Sequence, residues 1–298
     1  MDAKPTSNTA SYAALLAVQI SFGTFPVGGK VVLAVIPSVA MVGIRIGIAA
    51  IIFCVFQRTR GNMRLAEKGD YWRMAVFGLI GVALNQLLFV TGLSLTSATN
   101  TSLIAVTIPI FAILAGVLIG TEKLHLLKGG GIILAALGVI FLIDPRNASF
   151  SDQTTMGDLL VVLNSLSYGI YVATSKDVVV RNGAMKSITW IFLFAAIFCV
   201  PVGAYSLSTI DIASVDISIW LMALYIAVVA TALPYFFNAW ALARVDPSTV
   251  AVFVYLQPVI GFLTAVAFLG ERIGTNFIIA AAFIFAGVYL VTKKLSPA

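Results

Sequence analysis

The chain repeats itself once, and each copy contains an odd number of apolar segments long enough to cross a bilayer. Pro109, Glu122 and Gly138 recur as Pro258, Glu271 and Gly287, each 149 residues later. Nearer the start of each copy, Ser21, Phe22, Gly23, Phe25 and Lys30 recur as Ser167, Tyr168, Gly169, Tyr171 and Lys176, 146 residues later. The different offsets place a small change in length between the two blocks. A copy that crosses a membrane an odd number of times forces the next copy to enter upside down, so this period predicts inverted halves rather than a solenoid.

Composition fixes the solvent. With 60% hydrophobic and 10% charged residues and a mean hydropathy of +1.05, an ordinary soluble domain is excluded. Stretches of about 17 to 25 apolar residues match a hydrocarbon core of roughly 30 Å. Ten are predicted, near Tyr12 to Val35, Pro37 to Phe56, Trp72 to Thr91, Ala98 to Gly120, Leu127 to Ile143, Asp158 to Val180, Ser187 to Tyr205, Ser218 to Leu242, Pro247 to Gly270 and Thr275 to Thr292. The expected fold is therefore an all-α integral membrane protein, with ten transmembrane helices in two inverted five-helix repeats around a central cavity. The repeats are placed at residues 1–147 and 148–298, meeting near Arg146 to Thr155. The first segment reads as a helix rather than a signal peptide, because Pro26 and Lys30 interrupt it and its counterpart lies inside the chain. Cys54 and Cys199 fall within apolar spans, where packing is expected and a disulfide is not.

Positive charge sets the orientation. With the amino terminus cytoplasmic, fourteen Lys and Arg fall on the inside and three (Lys30, Arg146 and Arg272) outside, leaving Arg45 within a span. Both termini are expected in the cytoplasm of a bacterial-type inner membrane. The net charge of +6 then reads as topology. With no basic domain and no aromatic platform, nucleic acid is not an expected partner; a small solute and the bilayer are. No cofactor or metal is expected.

The run Leu95 to Ser102, followed by Pro109, Ile110 and Phe111 and then Gly120, Thr121, Glu122 and Lys123, resembles the end of an EamA-type repeat. The second copy, from Asp246 through Tyr255, Pro258, Gly270, Glu271 and Arg272 to Gly287, resembles one too, as does Arg45 in the second span. The resemblance, to the drug/metabolite transporter superfamily, covers nearly the whole chain. One departure is that Ser21 and Phe22 precede Gly23 where many members have a tryptophan. The resemblance implies ten helices, inverted halves and export of small metabolites by alternating access, with amino acids the leading class. Branches that move organic cations, purines, nucleotide sugars or phosphorylated sugars leave the substrate open.

Polar groups inside lipid are costly without partners, so clusters at matched positions are candidates for a solute cavity. Asn85 and Gln86 align with Pro234 and Tyr235, close to Asn238. Their carboxamides suit a zwitterionic solute, but equally suit hydrogen bonding between helices. Phe22 and Phe25, with Tyr168 and Tyr171, occupy neighbouring parts of helix faces beside Gln19 and Asn164. They read either as an aromatic cavity wall or as core. Tyr255 stands before Pro258, and Thr99 to Ser102 stand before Pro109; the two prolines are candidate hinges or fixed bends.

Arg45, between Gly43 and Gly47, is the sharpest single residue. A cation near mid-membrane costs at least ~2.5 kcal/mol on insertion scales, so it requires oxygen partners. A helix clamp or snorkelling is the expected role, with an anionic solute group the alternative. Glu122 and Glu271, beside Lys123 and Arg272, read as interface anchors and salt-bridge partners, and His125 as a loop residue. The first span carries Gln19 where related small multidrug transporters carry a carboxylate, which disfavours a carboxylate-centred proton antiporter. An intramembrane enzyme lacks an evident base or acidic cluster within the spans. A channel remains a rival that sequence alone leaves open.

Overall fold

In lipid, backbone N–H and C=O groups must find their partners within the protein. The chain does this with helices. The computed structural model describes residues 8–96, 98–123, 125–143, 152–260, 263 and 275–292, and among these there is no strand. The helices are α1 (Asn8–Leu33), α2 (Ser38–Arg60), α3 (Lys68–Leu95), α4 in two pieces (Ala98–Ala105 and Thr107–Ile119), α5 (Leu126–Ile143), α6 (Asp152–Asn182), α7 (Ala184–Leu207), α8 (Ile217–Leu242), α9 (Pro247–Ile260) and α10 (Thr275–Thr292). Within described residues, α2, α3, α6, α7 and α8 are long and apolar enough to cross a membrane, while the other five expected spans hold shorter apolar helices. Of the expected linker, residues 146–151 lie outside the described residues while Asp152 to Thr155 begin α6; Gly270 with Glu271 and Arg272, and the side chain of Lys30, also lie outside them.

Apolar side chains cover the outside of the helices as well as the core, and several polar ones lie within. Leu118, Ile133, Ile197 and Tyr289 are exposed, whereas Gln19, Arg45, Asn85, Asn164 and Thr231 are buried. This is the pattern a lipid solvent selects, because apolar side chains lose nothing by facing acyl chains and polar ones do.

α2 runs against α7 and α5 against α10; α6 packs on α3 and α4, and α1 on α8. Glycine permits the closest crossings. A Cβ on Gly43 would lie 2.8 Å from both Gly203 Cα and the Cys199 carbonyl, and one on Gly287 would lie 2.5 Å from the Gly131 carbonyl. Cys54 and Cys199 are free thiols.

The helical ladders are irregular at matched positions. α3 widens to a π-helix over Gly78–Leu84, and α8 does so over Val228–Ala232, about the same place in the second copy. α4 breaks at Val106, and α9 tightens to a 3₁₀ turn at Phe253–Tyr255. Each irregularity lies three residues before a proline, Pro109 or Pro258, that the sequence offers as a hinge or fixed bend. Pro109 falls in the first turn of the second piece of α4, where its missing N–H removes no intrahelical bond. The Tyr255 hydroxyl donates to the carbonyl of Val106 at 2.8 Å, joining the two irregular points across 149 residues.

Two polar clusters tie the ends of helices together. Asp70 at the start of α3 accepts hydrogen bonds from Arg181 and, at 2.7 Å, from Asn182 at the end of α6. Lys128 of α5 reaches Asp246 in the α8–α9 loop at 2.8 Å, and Lys176 of α6 approaches the same carboxylate at 3.4 Å. Glu122 accepts the Ser248 N–H at 2.7 Å, placing a carboxylate at the positive end of α9. Its cationic neighbour is Lys128, at 3.8 Å, rather than Lys123.

Burial by itself would raise the Asp246 carboxyl, but the hydrogen bond and charge of Lys128, with Lys176 behind them, outweigh it and hold the group below the ordinary carboxylate range. A depressed folded-state value gives stabilisation that is complete above the unfolded value of about 3.9 and is lost as pH falls through the folded one. Asp246→Asn is therefore expected to lower the melting temperature at pH 7 modestly, since Asp246 is half-exposed and solvent-screened pairs contribute about 0 to 1 kcal/mol. The gap from wild type should close below about pH 4. A gap of unchanged size in strong acid would show that charge is not its cause.

Candidate functional site

The π-helical stretches do more than bend their helices. Widening a turn frees carbonyl groups from the regular ladder, and side chains from neighbouring helices take them up. Arg45 of α2 donates from Nε to the Thr231 hydroxyl at 2.8 Å and from Nη2 to the Ala230 carbonyl at 3.2 Å, both in the π-helical part of α8. In the other copy, Ser167 of α6 donates to the Ile80 carbonyl in the π-helical part of α3. Arg45 is 2% exposed, so it does not snorkel; it links α2 to α8 from within.

Immediately after the π-helical part of α3, Asn85 faces Asn164 of α6 in a reciprocal pair. The Asn164 amide donates to the Asn85 carbonyl at 2.8 Å, and the Asn85 amide donates to the Asn164 carbonyl at 3.3 Å. Gln86 donates to the Tyr235 hydroxyl, which in turn donates to Asn85 Oδ1 at 3.4 Å. Gln86 and Tyr235 occupy the same position in the two copies, 149 residues apart, and they touch each other.

These groups surround a cavity of about 130 Å³ between the two copies. Its wall includes Gln19, Phe22, Phe25, Asn85, Gln86 and Asn164, with Tyr168 and Tyr235 completing the set expected from sequence. Phe22 meets Tyr235 edge-on at 6.3 Å, and the Gln257 amide donates to Gln19 at 2.8 Å. Three expected residues stand behind the wall. Tyr171 is buried against Phe77, and its ring fills the place of a side chain at Gly81, where a Cβ would collide with it. Asn238 donates to the Tyr168 hydroxyl, and Tyr255 is held by Val106. Pro109 and Pro258 belong to the helix breaks rather than to the wall.

Sequence reading passed over Phe89, Leu93, Val161 and Val254, apolar residues that complete the wall. It also passed over Asp158. In the second turn of α6, this carboxylate accepts from Thr96 at 2.6 Å and from Asn100 at 2.9 and 3.0 Å. The signal was available: Asp158 starts an expected span, and Asn100 lies in a polar run at the end of the span paired with it.

A helical membrane protein with a cavity lined by amides and aromatic rings is the class these features define. The EamA-like transporter family model matches residues 9–144 and again 155–293, so the chain belongs to that family. An uncharacterized transporter of Archaeoglobus fulgidus is 26% identical over 228 residues, 76% of this chain and 78% of that one. YetK, an uncharacterized transporter of Bacillus subtilis, is 23% identical and is matched over 88% of its length and 96% of this chain. A WAT1-related protein of Arabidopsis thaliana is 30% identical over 72% of this chain and 64% of its own. A crystal structure with 18% identity superposes with a TM-score of 0.74, covering 95% of this chain and 96% of that one, which establishes likeness of fold alone.

Proposed function

We propose that the chain exports small amphipathic metabolites, amino acids foremost, across a bacterial-type inner membrane by alternating access. In this reading residues 1–147 and 148–298 are inverted five-helix repeats, ten helices span the bilayer and both termini are cytoplasmic. The observation that carries it is the meeting of matched positions. Gln86 bonds Tyr235 and Tyr255 bonds Val106, each across 149 residues, as expected where two related halves share an axis, and the cavity lies beside these contacts. Amides and aromatic rings in one wall suit a solute with a polar head and an apolar side chain. The cavity is close in size to the roughly 150 Å³ cavities that admit a benzene-sized guest.

Orientation by positive charge puts the Asp70–Arg181 and Lys128–Asp246 clusters on the cytoplasmic side. They tie that side shut, so opening it requires both to part. No carboxylate lines the described cavity wall, which favours concentration-driven flux over proton antiport.

Uptake and counterflow of labelled amino acids in proteoliposomes, with and without a pH gradient, test the proposal. Saturable flux, stimulated by solute on the opposite side and indifferent to the gradient, is expected. Unsaturable flux without such stimulation would identify a channel, and flux driven by the gradient would overturn the uncoupled mechanism. Transport of organic cations or purines in place of amino acids would move the substrate class while leaving the carrier intact.

A further inference from the structure

A guanidinium presents its five N–H groups in one plane, along a side edge shared by Nε and one Nη and an end edge shared by the two Nη atoms. In Arg45 the side edge is engaged within the protein, Nε by Thr231 and Nη2 by Ala230. One face is covered by Phe25, whose ring centroid is 4.5 Å from Cζ. Nη1 is buried and has no hydrogen-bond partner among the described residues. The residue lines the cavity, and it is the single charged side chain among the described residues that do so.

A clamp between α2 and α8 accounts for the side edge but leaves the end edge unexplained. From this geometry we infer that the end edge of Arg45 docks a carboxylate of the transported solute. Its two oxygens take parallel N–H···O bonds from Nη1 and Nη2, the fork geometry that makes arginine–carboxylate recognition directional. The inference rests on the carrier reading and narrows its substrates to carboxylate-bearing solutes. A single carboxylate group suits the site because Arg45 is the one charged side chain of the described cavity wall; a phosphate dianion would leave a charge unneutralised in the same space. The apolar remainder of such a solute meets Phe22, Phe89, Leu93 and Val161.

Docking also has a consequence for the transport cycle. An empty cavity keeps an unneutralised cation that is costly to seal from water, whereas a carboxylate removes that cost. The loaded carrier therefore closes more readily than the empty one, and solute on the far side accelerates exchange.

The test uses the full chain in proteoliposomes with labelled leucine, phenylalanine and threonine, each compared with its carboxamide. Wild-type protein is expected to exchange each acid at least tenfold faster than its amide. Arg45→Gln should raise the half-saturation concentration for the acids at least tenfold and reduce stimulation from the opposite side. Arg45→Lys should recover only part of both, since it restores charge without the fork. The wild-type ratio decides the matter even if Arg45→Gln fails to insert. Equal exchange of acids and amides, flux of organic cations without acids, or loss of acid and amide in equal proportion in Arg45→Gln overturns the docking and leaves Arg45 a clamp in a working carrier. Flux of no acid, amide, organic cation or purine overturns the carrier reading, and the docking with it.

Discussion

Gly43→Leu is expected to abolish recovery of folded protein, whereas Gly130→Leu should be tolerated. At Gly43 even a Cβ would stand 2.8 Å from Gly203 Cα and from the Cys199 carbonyl, so the obstacle is backbone from α7 rather than a side chain that can swing aside. Overpacking a close-packed interior typically costs about 1 to 3 kcal/mol when side chains can adjust, and more where they cannot. In lipid the loss is aggravated, because helix association depends on close packing and gains little from the hydrophobic effect. At Gly130 a Cβ meets nothing within 4 Å. Size-exclusion profiles of detergent extracts read both variants, with Gly43→Ala expected to lie between them. Equal yields of monodisperse protein from the two leucine variants would refute the close crossing of α2 and α7.

The helices themselves were legible because lipid demands long uninterrupted apolar runs. Nearly all the expected spans fall on observed helices, and Thr275 to Thr292 coincides with α10. What the sequence marked poorly was which way a residue faces within a span. In water one face of a helix is solvated and periodicity points inward, but α6 has neighbours in α3, α4 and α7 and no wet face to orient it.

Tyr168 and Tyr171 illustrate the difficulty. They correspond to Phe22 and Phe25, and three of the four line the cavity while Tyr171 does not. Gly81 opens a slot that the Tyr171 ring fills. The matched position in α8 is Ala230, whose methyl group closes that slot, and Phe25 instead lies beneath Arg45.

The irregular turns were legible only through their neighbours. A π-helical turn requires no particular residue, so nothing within Gly78–Leu84 announces it. Asn85 and Pro234, which align between the two copies, stand just past the two widened stretches. Pro109 and Pro258 stand three residues past the breaks at Val106 and at Phe253–Tyr255, and Pro109 sits where a residue without an N–H fits the start of a resumed helix.

Asn85→Ala and Asn164→Ala are each expected to reduce amino-acid exchange per folded molecule at least tenfold, and the double variant to lose less than the two effects combined. Each carboxamide donates to the other residue's backbone carbonyl, so neither truncation removes both bonds. The stability cost of one truncation should stay near 1 kcal/mol, the usual net value of one hydrogen bond. A tenfold loss of exchange corresponds to about 1.4 kcal/mol of its own and requires that the side chain meet solute or hold a wall that does. Coupling between the two positions follows because each amide fixes the other's backbone within one cavity wall, and paired contacts of this kind are not additive. Tyr171→Ala provides the contrast. Truncating a buried aromatic costs about 3 to 5 kcal/mol, so it should deplete folded protein while leaving exchange per surviving molecule nearly intact. Exchange that falls only in step with the amount of folded protein, in the asparagine variants as in Tyr171→Ala, would make the asparagine pair a packing contact and remove it from the transport path.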